Sequence, residues 1–134
     1  GFLAWEVRRD EDDVAVMTGF DVALIADGLI TGRLGETMDL PAGQQAARQC
    51  GINLLAQCKA ALGDLSKIKR VVKLGGFVNS HPLFTDIPQV INGCSDLMVE
   101  VFEDKGRHAR SAVACPTLPL GVAVEIDGIF EIEL

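Results

Sequence analysis

Two segments with a helical repeat of apolar residues constrain the fold more than any other feature of the sequence. The first is predicted to begin near Pro41 and to end at Leu62, and the second opens near Thr85 and Asp86. The two apolar stripes comprise Ala47, Cys50, Gly51, Leu54, Cys58, Ala61 and Leu62, and then Ile87, Val90, Ile91, Cys94, Leu97, Met98, Val101 and Phe102. Each helix has one stripe to bury, so we expect both to pack on the same layer.

The remaining apolar segments favour β-strands. The predicted strands cover residues 2–7, 14–20, 68–79, 110–115 and 122–133. The first two flank a polar stretch at residues 8–13, which indicates a hairpin loop. Strict alternation along the third strand places Ile68, Val72 and Leu74 on one face. Val71 then lies on the opposite face with the lysines of that strand. The predicted order is β-β-α-β-α-β-β.

Two helices cover only one face of such a sheet. A chain of 134 residues is expected to form one α+β domain over residues 1–134, with no room for separate cofactor and substrate domains. The uncovered sheet face needs another partner, and copies of the same chain are the simplest one. A site lined by both faces would then lie between subunits.

The charge balance disfavours some classes of partner. Twelve Lys and Arg residues face nineteen Asp and Glu residues, for a net charge of -7. This negative field repels phosphate backbones and anionic lipid surfaces, so nucleic acid is an unlikely partner. Apolar runs stop well short of the roughly 20 residues of a membrane-spanning helix, and the N-terminus lacks the layout of a signal peptide. We expect a cytoplasmic protein without a membrane partner.

The cysteine and histidine residues do not indicate a metal site. Cys50 and Cys58 lie on a helical stripe, where a thiol packs as a small apolar group. His81 and His108 are far from any metal-ligand spacing, and we expect both in loops or at the surface. The Gly75-Gly76 pair lies inside a predicted strand, which favours a bulge or a close backbone approach over a phosphate-binding loop.

Arg110 and Glu125 are the pair with the most chemical interest. Arg110 opens a short apolar strand, where a guanidinium requires a carboxylate, a carbonyl group or a bound anion. Glu125 lies in the last strand on its polar side. Spacing alone leaves three alternatives: a salt bridge between the two, a solvent-facing Glu125, or a shared binding site.

The segment at residues 110–126, RSAVACPTLPLGVAVEI, resembles a known family signature. It is similar to the C-terminal signature of the Rid/YjgF family, the reactive intermediate deaminases, with its Arg-Ser-x-Val strand and Leu-Pro turn. Residues 70–79 resemble the central strand of that family, and residues 90–93 resemble the start of its second helix. The segment Thr18-Gly19-Phe20 is similar to its Ser-Gly-Gln segment.

The resemblance implies a chorismate-mutase-like α+β fold, with a mixed sheet and two helices on one face. It also implies a homotrimeric barrel with clefts between subunits. Active members hydrolyse enamines and imines such as 2-aminoacrylate to 2-oxo acids and ammonia, with no metal or organic cofactor.

The same resemblance assigns roles to individual residues. Arg110 would bind the substrate carboxylate, and Glu125 would activate the attacking water or transfer a proton. The other residues implied at the cleft are Ala112, through its main chain, Asn92, Phe77 and Phe20.

Two other functions remain open from the sequence. In the first, a trimer binds small carboxylates at Arg110 for sensing or scavenging, without catalysis. In the second, the protein has the ribonuclease activity that is often attached to this family by name. The acidic charge balance disfavours the second, because the one dense basic segment is residues 67–73.

Overall fold

The computed structural model describes residues 6–9, 14–22, 24–25 and 28–133. The strands are β1 (Glu6–Arg9), β2 (Ala15–Val22), β3 (Leu24–Ile25), β4 (Gly28–Leu29), β5 (Ile68–Asn79), β6 (Ala109–Cys115) and β7 (Val124–Ile132). The helices are α1 (Leu40–Leu62) and α2 (Ile87–Phe102), and short 3-10 turns cover Leu65–Lys67, Glu103–Gly106 and Pro119–Gly121. The predicted order is confirmed, with the small hairpin β3–β4 as an addition.

The N-terminal hairpin is confirmed, but its first strand extends beyond the predicted end at Val7. β1 pairs antiparallel with β2, and it includes Arg8 and Arg9, which the sequence places in the loop. Backbone pairing at the edge of a sheet tolerates such charged residues. Residues 2–5, where the predicted strand begins, lie outside the described residues.

Five of the strands form one mixed sheet in the order β1-β2-β7-β5-β6. β5 and β6 run parallel, and the other neighbours run antiparallel. Both helices pack on one face, and the buried core between the layers includes Cys50, Leu54, Val71, Leu74, Val90, Ile91, Ile126 and Phe130. The opposite face, called the open face below, carries Phe77, Val113, Glu125, Asp127 and Ile129. The predicted fold class, with helices on one side of the sheet, is confirmed.

The boundaries of α1 follow from local chemistry. The side chain of Asp39 caps the helix by accepting a hydrogen bond from the backbone N–H of Ala42 at 3.0 Å, and Pro41 lies in the first turn. Gly63 ends the helix with a φ of 85°, a conformation that glycine adopts without strain. No helix in the described part of the chain is long and apolar enough to cross a membrane.

β5 spans the predicted residues, but its two faces differ from strict alternation. Its pairing with β7 shifts register between Ile68 and Arg70 and again between Val71 and Lys73. Each irregularity rotates the following residues relative to the sheet, so Ile68, Val71 and Leu74 are all buried. The predicted placement of Val71 on the face of the lysines was therefore wrong.

Gly76 allows α2 to approach the sheet closely. A Cβ atom at Gly76 would lie 2.5 Å from Cδ1 of Ile91, which is fully buried in α2. The close backbone approach predicted for the glycine pair is thus confirmed at this position.

We expect Gly76→Ala to lower the free energy of unfolding by about 1–3 kcal/mol, because the added methyl group overpacks the interface between helix and sheet. Urea denaturation measures this change. In an Ile91→Ala background the same substitution should cost less, since the clashing atoms are gone. An equal cost in both backgrounds would contradict this packing.

Candidate functional site

The candidate site is built around β6, which lies at one edge of the sheet. β6 pairs with β5 on one side, and most of its residues are exposed. The parallel register places Arg110 beside Leu74 and Ala112 beside Gly76, on the face that the helices cover. Val113 lies beside Phe77 on the open face. The edge strand therefore presents residues to both sides of the sheet.

The guanidinium of Arg110 is held by two neutral acceptors on α2. Its Nη1 donates to Oδ1 of Asn92 at 2.7 Å and to Oγ of Ser95 at 3.1 Å. Among the described residues, no carboxylate lies within ion-pair distance of this guanidinium. Arg110 is exposed, so its positive charge remains available to an external anion.

Ser95 belongs to a short hydrogen-bonded chain that ends at a backbone carbonyl. Its Oγ lies 2.9 Å from Nε2 of His108, and Nδ1 of His108 bonds to the carbonyl oxygen of Gly106. His108 lies in the loop between the Glu103–Gly106 turn and β6, but it is half-buried, so the predicted surface position is only partly correct. Neither Ser95 nor its pairing with His108 had a recognisable signal in the sequence, because the two lie on different elements.

Cys94, whose thiol is affected by the charge of Arg110, is not a candidate nucleophile. Burial raises the pKa of Cys94 to about 12, and the positive charge of Arg110 opposes this rise only in part. A thiol with so high a pKa carries almost no thiolate at neutral pH. Cys50 and Cys58 are also buried, as their predicted packing role requires.

Glu125 lies on the open face, directly opposite Phe77 in the pairing of β7 with β5. Its carboxylate is half-buried, and partial burial raises its pKa above the ordinary value of 4.5. The negative charge of Asp127, two residues further along the same face, raises this pKa further. Asp127 in turn lies over Gly75, where a Cβ atom would collide with its carboxylate. A carboxyl group of raised pKa is suited to proton transfer.

Asp127→Asn should lower the pKa of Glu125, because it removes the neighbouring negative charge. Since Asp127 is the second cause of the rise and burial is the first, we expect only part of the shift to disappear. NMR titration of the Glu125 side-chain carboxyl carbon measures this change. Glu133→Gln removes an exposed carboxylate further along the chain and is the control. It should leave the pKa of Glu125 unchanged. An unchanged pKa in Asp127→Asn would contradict the electrostatic coupling.

A single chain does not bring Arg110 and Glu125 together. Arg110 faces the helix side of the sheet, Glu125 faces the open side, and β5 lies between their two strands. The salt bridge left open by the sequence is therefore not formed within the chain.

The other predicted site residues divide between the two faces. Asn92 contacts Arg110 directly, and Ala112 packs partly against the core on the same side. Phe77 lies on the open face beside Glu125, half-buried. Phe20 lies in β2 opposite Asp127.

A separate groove of about 310 Å³ lies between α1 and α2. Its walls include Arg48 and Glu100, which form an ion pair with an N–O distance of 2.9 Å. The guanidinium of Arg48 is already paired with Glu100, so this groove is less suited to binding an anion than the site at Arg110 is. Within the described residues, no cluster of three or more His, Cys, Asp or Glu side chains has a geometry that could hold a metal ion.

Comparison with known proteins identifies the family of this fold. A sequence model of the YjgF/chorismate mutase-like family, described also as candidate endoribonucleases, matches residues 13–130. The chain belongs to the YjgF/Rid family. Atu1372 of Agrobacterium tumefaciens, a protein of unknown function, is similar in structure with a TM-score of 0.91 and 40% identity, over 99% of this chain and 83% of the other.

Two further proteins are also similar to this member of the YjgF/Rid family. A candidate endoribonuclease of Shewanella oneidensis is similar with a TM-score of 0.89 and 27% identity, over 98% of this chain and 85% of the other. Protein TCP17 of Trypanosoma cruzi is 52% identical over 106 residues, which are 78% of this chain. The match spans 66% of TCP17, slightly less than two thirds of its length.

Proposed function

We propose that the protein is an imine and enamine deaminase that hydrolyses 2-aminoacrylate-type intermediates to 2-oxo acids and ammonia. The site lies between copies of a cytoplasmic homotrimer. Arg110 binds the substrate carboxylate, and Glu125 is the general acid and base. The observation that carries this proposal is the unpaired charge of Arg110, oriented by two neutral acceptors on an exposed edge strand.

The reaction is the addition of water to a carbon–nitrogen double bond. Glu125 accepts a proton from water as its oxygen bonds to the imine carbon, which forms a tetrahedral carbinolamine. The carboxyl group then returns the proton to nitrogen. In the second step, the Glu125 carboxylate takes the hydroxyl proton of the carbinolamine and passes it to the departing nitrogen as the carbon–nitrogen bond breaks. Ammonia then leaves, and the product with its new carbonyl group remains bound through its carboxylate to Arg110. Proton transfer in both directions suits a carboxyl group whose pKa is raised by burial.

The placement of the two residues supports a site shared between copies. Arg110 and Glu125 lie on opposite faces of one sheet, so we assign Arg110 from one copy and Glu125 from its neighbour to each site. The open face is suited to such an interface, because Val113 is 46% exposed there and Phe77 and Ile129 are only half-buried. Closed rotational symmetry would then repeat the site once per subunit.

The deaminase proposal is tested with a serine or threonine dehydratase that generates the imine in place. Added protein should accelerate both imine loss and ammonia release above the rate in buffer. No acceleration would overturn the deaminase proposal. If pyruvate or benzoate nevertheless raised the melting temperature, the protein would be a carboxylate-binding trimer without catalysis. RNA cleavage that persists in preparations free of contaminating ribonuclease would favour the ribonuclease function.

A further inference from the structure

The hydrogen-bonded chain behind Arg110 suggests a role for two residues that the proposed function leaves unused. We propose that Ser95 and His108 are positioning residues that fix the guanidinium of Arg110, so that a carboxylate binds along its Nε–Nη2 edge. This inference rests on the proposed carboxylate site at Arg110. Neither residue needs to contact the substrate.

The direction of each hydrogen bond follows from the donor inventory. The Gly106 carbonyl oxygen can only accept, so Nδ1 of His108 carries the proton that bonds to it. In the neutral imidazole, Nε2 is then an acceptor, and the hydroxyl of Ser95 donates to it. The hydroxyl proton is thereby directed away from Arg110. The Ser95 oxygen is left to accept from Nη1, as its 3.1 Å contact requires.

The same bonds determine which edge of the guanidinium is free. Nη1 carries two protons and has two acceptors, Asn92 and Ser95. The remaining donors are the two protons on Nη2 and the one on Nε. Parallel bonds from Nε and Nη2 match the two oxygens of a carboxylate. His108 thus acts on the anion site through Ser95.

Ser95 is not assigned as a nucleophile, although a serine bonded to a histidine resembles a nucleophile and its base. Its oxygen already accepts a hydrogen bond from a cation, which withdraws electron density from the lone pairs. The arrangement therefore favours orientation of Arg110 over covalent chemistry.

The test compares benzoate affinity, measured by calorimetry, with kcat and KM for imine hydrolysis. Ser95→Ala should weaken benzoate binding about tenfold, the effect of one hydrogen bond to a charged group. His108→Leu should weaken it about threefold to fivefold, because the serine loses its preferred direction but not its oxygen. Ser95→Thr keeps the oxygen and should rescue most of the affinity. His108→Gln offers a carbonyl oxygen in place of Nε2 and should also retain most of it.

A double-mutant cycle separates positioning from simple destabilisation. If His108 acts through Ser95, His108→Leu should have no further effect on benzoate binding in the Ser95→Ala background. If the losses of benzoate affinity in the two single variants multiply in the double variant, the inference would be overturned. Ser66→Ala, in the exposed turn after α1, is the matched control and should bind benzoate like the wild type.

Failure of the positioning role can be distinguished from failure of the deaminase proposal. Wild-type affinity in folded Ser95→Ala and His108→Leu variants would overturn the positioning role, whatever the turnover of the wild type. A wild-type protein that binds benzoate but hydrolyses no imine would overturn the deaminase proposal, while the binding cycle would still decide the positioning role. Absence of benzoate binding by the wild type would overturn the positioning role, whereas the deaminase proposal would still be decided by imine turnover.

Discussion

Arg110→Ala is expected to reduce kcat/KM for imine hydrolysis by about 10³-fold, because it removes two charge-assisted hydrogen bonds to the substrate carboxylate. Benzoate binding should be lost in parallel. Arg110→Lys should recover little, since an ammonium cannot form the paired, planar bonds of a guanidinium. Initial rates of imine loss in the dehydratase assay measure the first effect, and calorimetry measures the second.

Arg107→Ala is the matched control for this experiment. Arg107 lies three residues before Arg110 and pairs with Asp104 at 3.3 Å, and its side chain is 75% exposed. The substitution removes the same formal charge but no proposed substrate contact, so its rates should stay within about twofold of wild type. Equal losses in both variants would show that only net charge matters. Full activity in Arg110→Ala would exclude Arg110 as the anchor.

Glu125→Gln is expected to reduce kcat by about 10²–10⁴-fold, the usual contribution of a general acid or base. Benzoate affinity should change little, because the carboxylate of the ligand binds at Arg110. The pH profile provides a second test. Glu125 must be ionised to accept a proton from water, so wild-type activity should fall as the pH falls through its raised pKa, above 4.5. This acidic limb should be absent from the residual activity of Glu125→Gln.

Glu131→Gln is the control on the same strand and the same face. Glu131 pairs with Arg70 at 3.6 Å and lies away from Phe77 in the register. The Glu131→Gln variant should retain both the rate and the acidic limb of the wild-type pH profile. An acidic limb that persists in Glu125→Gln would assign the titration to another group, and a near-normal kcat would remove Glu125 from the mechanism.

The elements with one strong periodicity could be predicted from the sequence. α1 begins after Asp39 and ends at Gly63, and both ends are encoded by residues that act locally, a capping carboxylate and a glycine of positive φ. The presence of one covered and one open face of the sheet could also be predicted from the sequence, because each helix has one apolar stripe to bury. The bulges in β5 could not be predicted, because they depend on pairing with residues of β7 that lie about sixty positions away in the sequence.

The site was predictable only in part, for a similar reason. Arg110 and Asn92 could be selected by resemblance to a family, and the structure brings them together at 2.7 Å. Ser95 and His108 carry no local signal, since their contact depends on how α2 packs beside β6. The separation of Arg110 from Glu125 depends on which face each side chain occupies, and that follows from the register of three strands.

The most direct test of a shared intersubunit site uses two inactive chains together. Arg110→Ala and Glu125→Gln chains, co-expressed with different tags, should regain about one quarter of the wild-type activity. Three quarters of randomly assembled trimers are mixed, and each mixed ring contains one site with both native residues. Native mass spectrometry establishes that mixed trimers have formed. Mixed trimers as inactive as either parent would contradict a site built from Arg110 of one copy and Glu125 of the next.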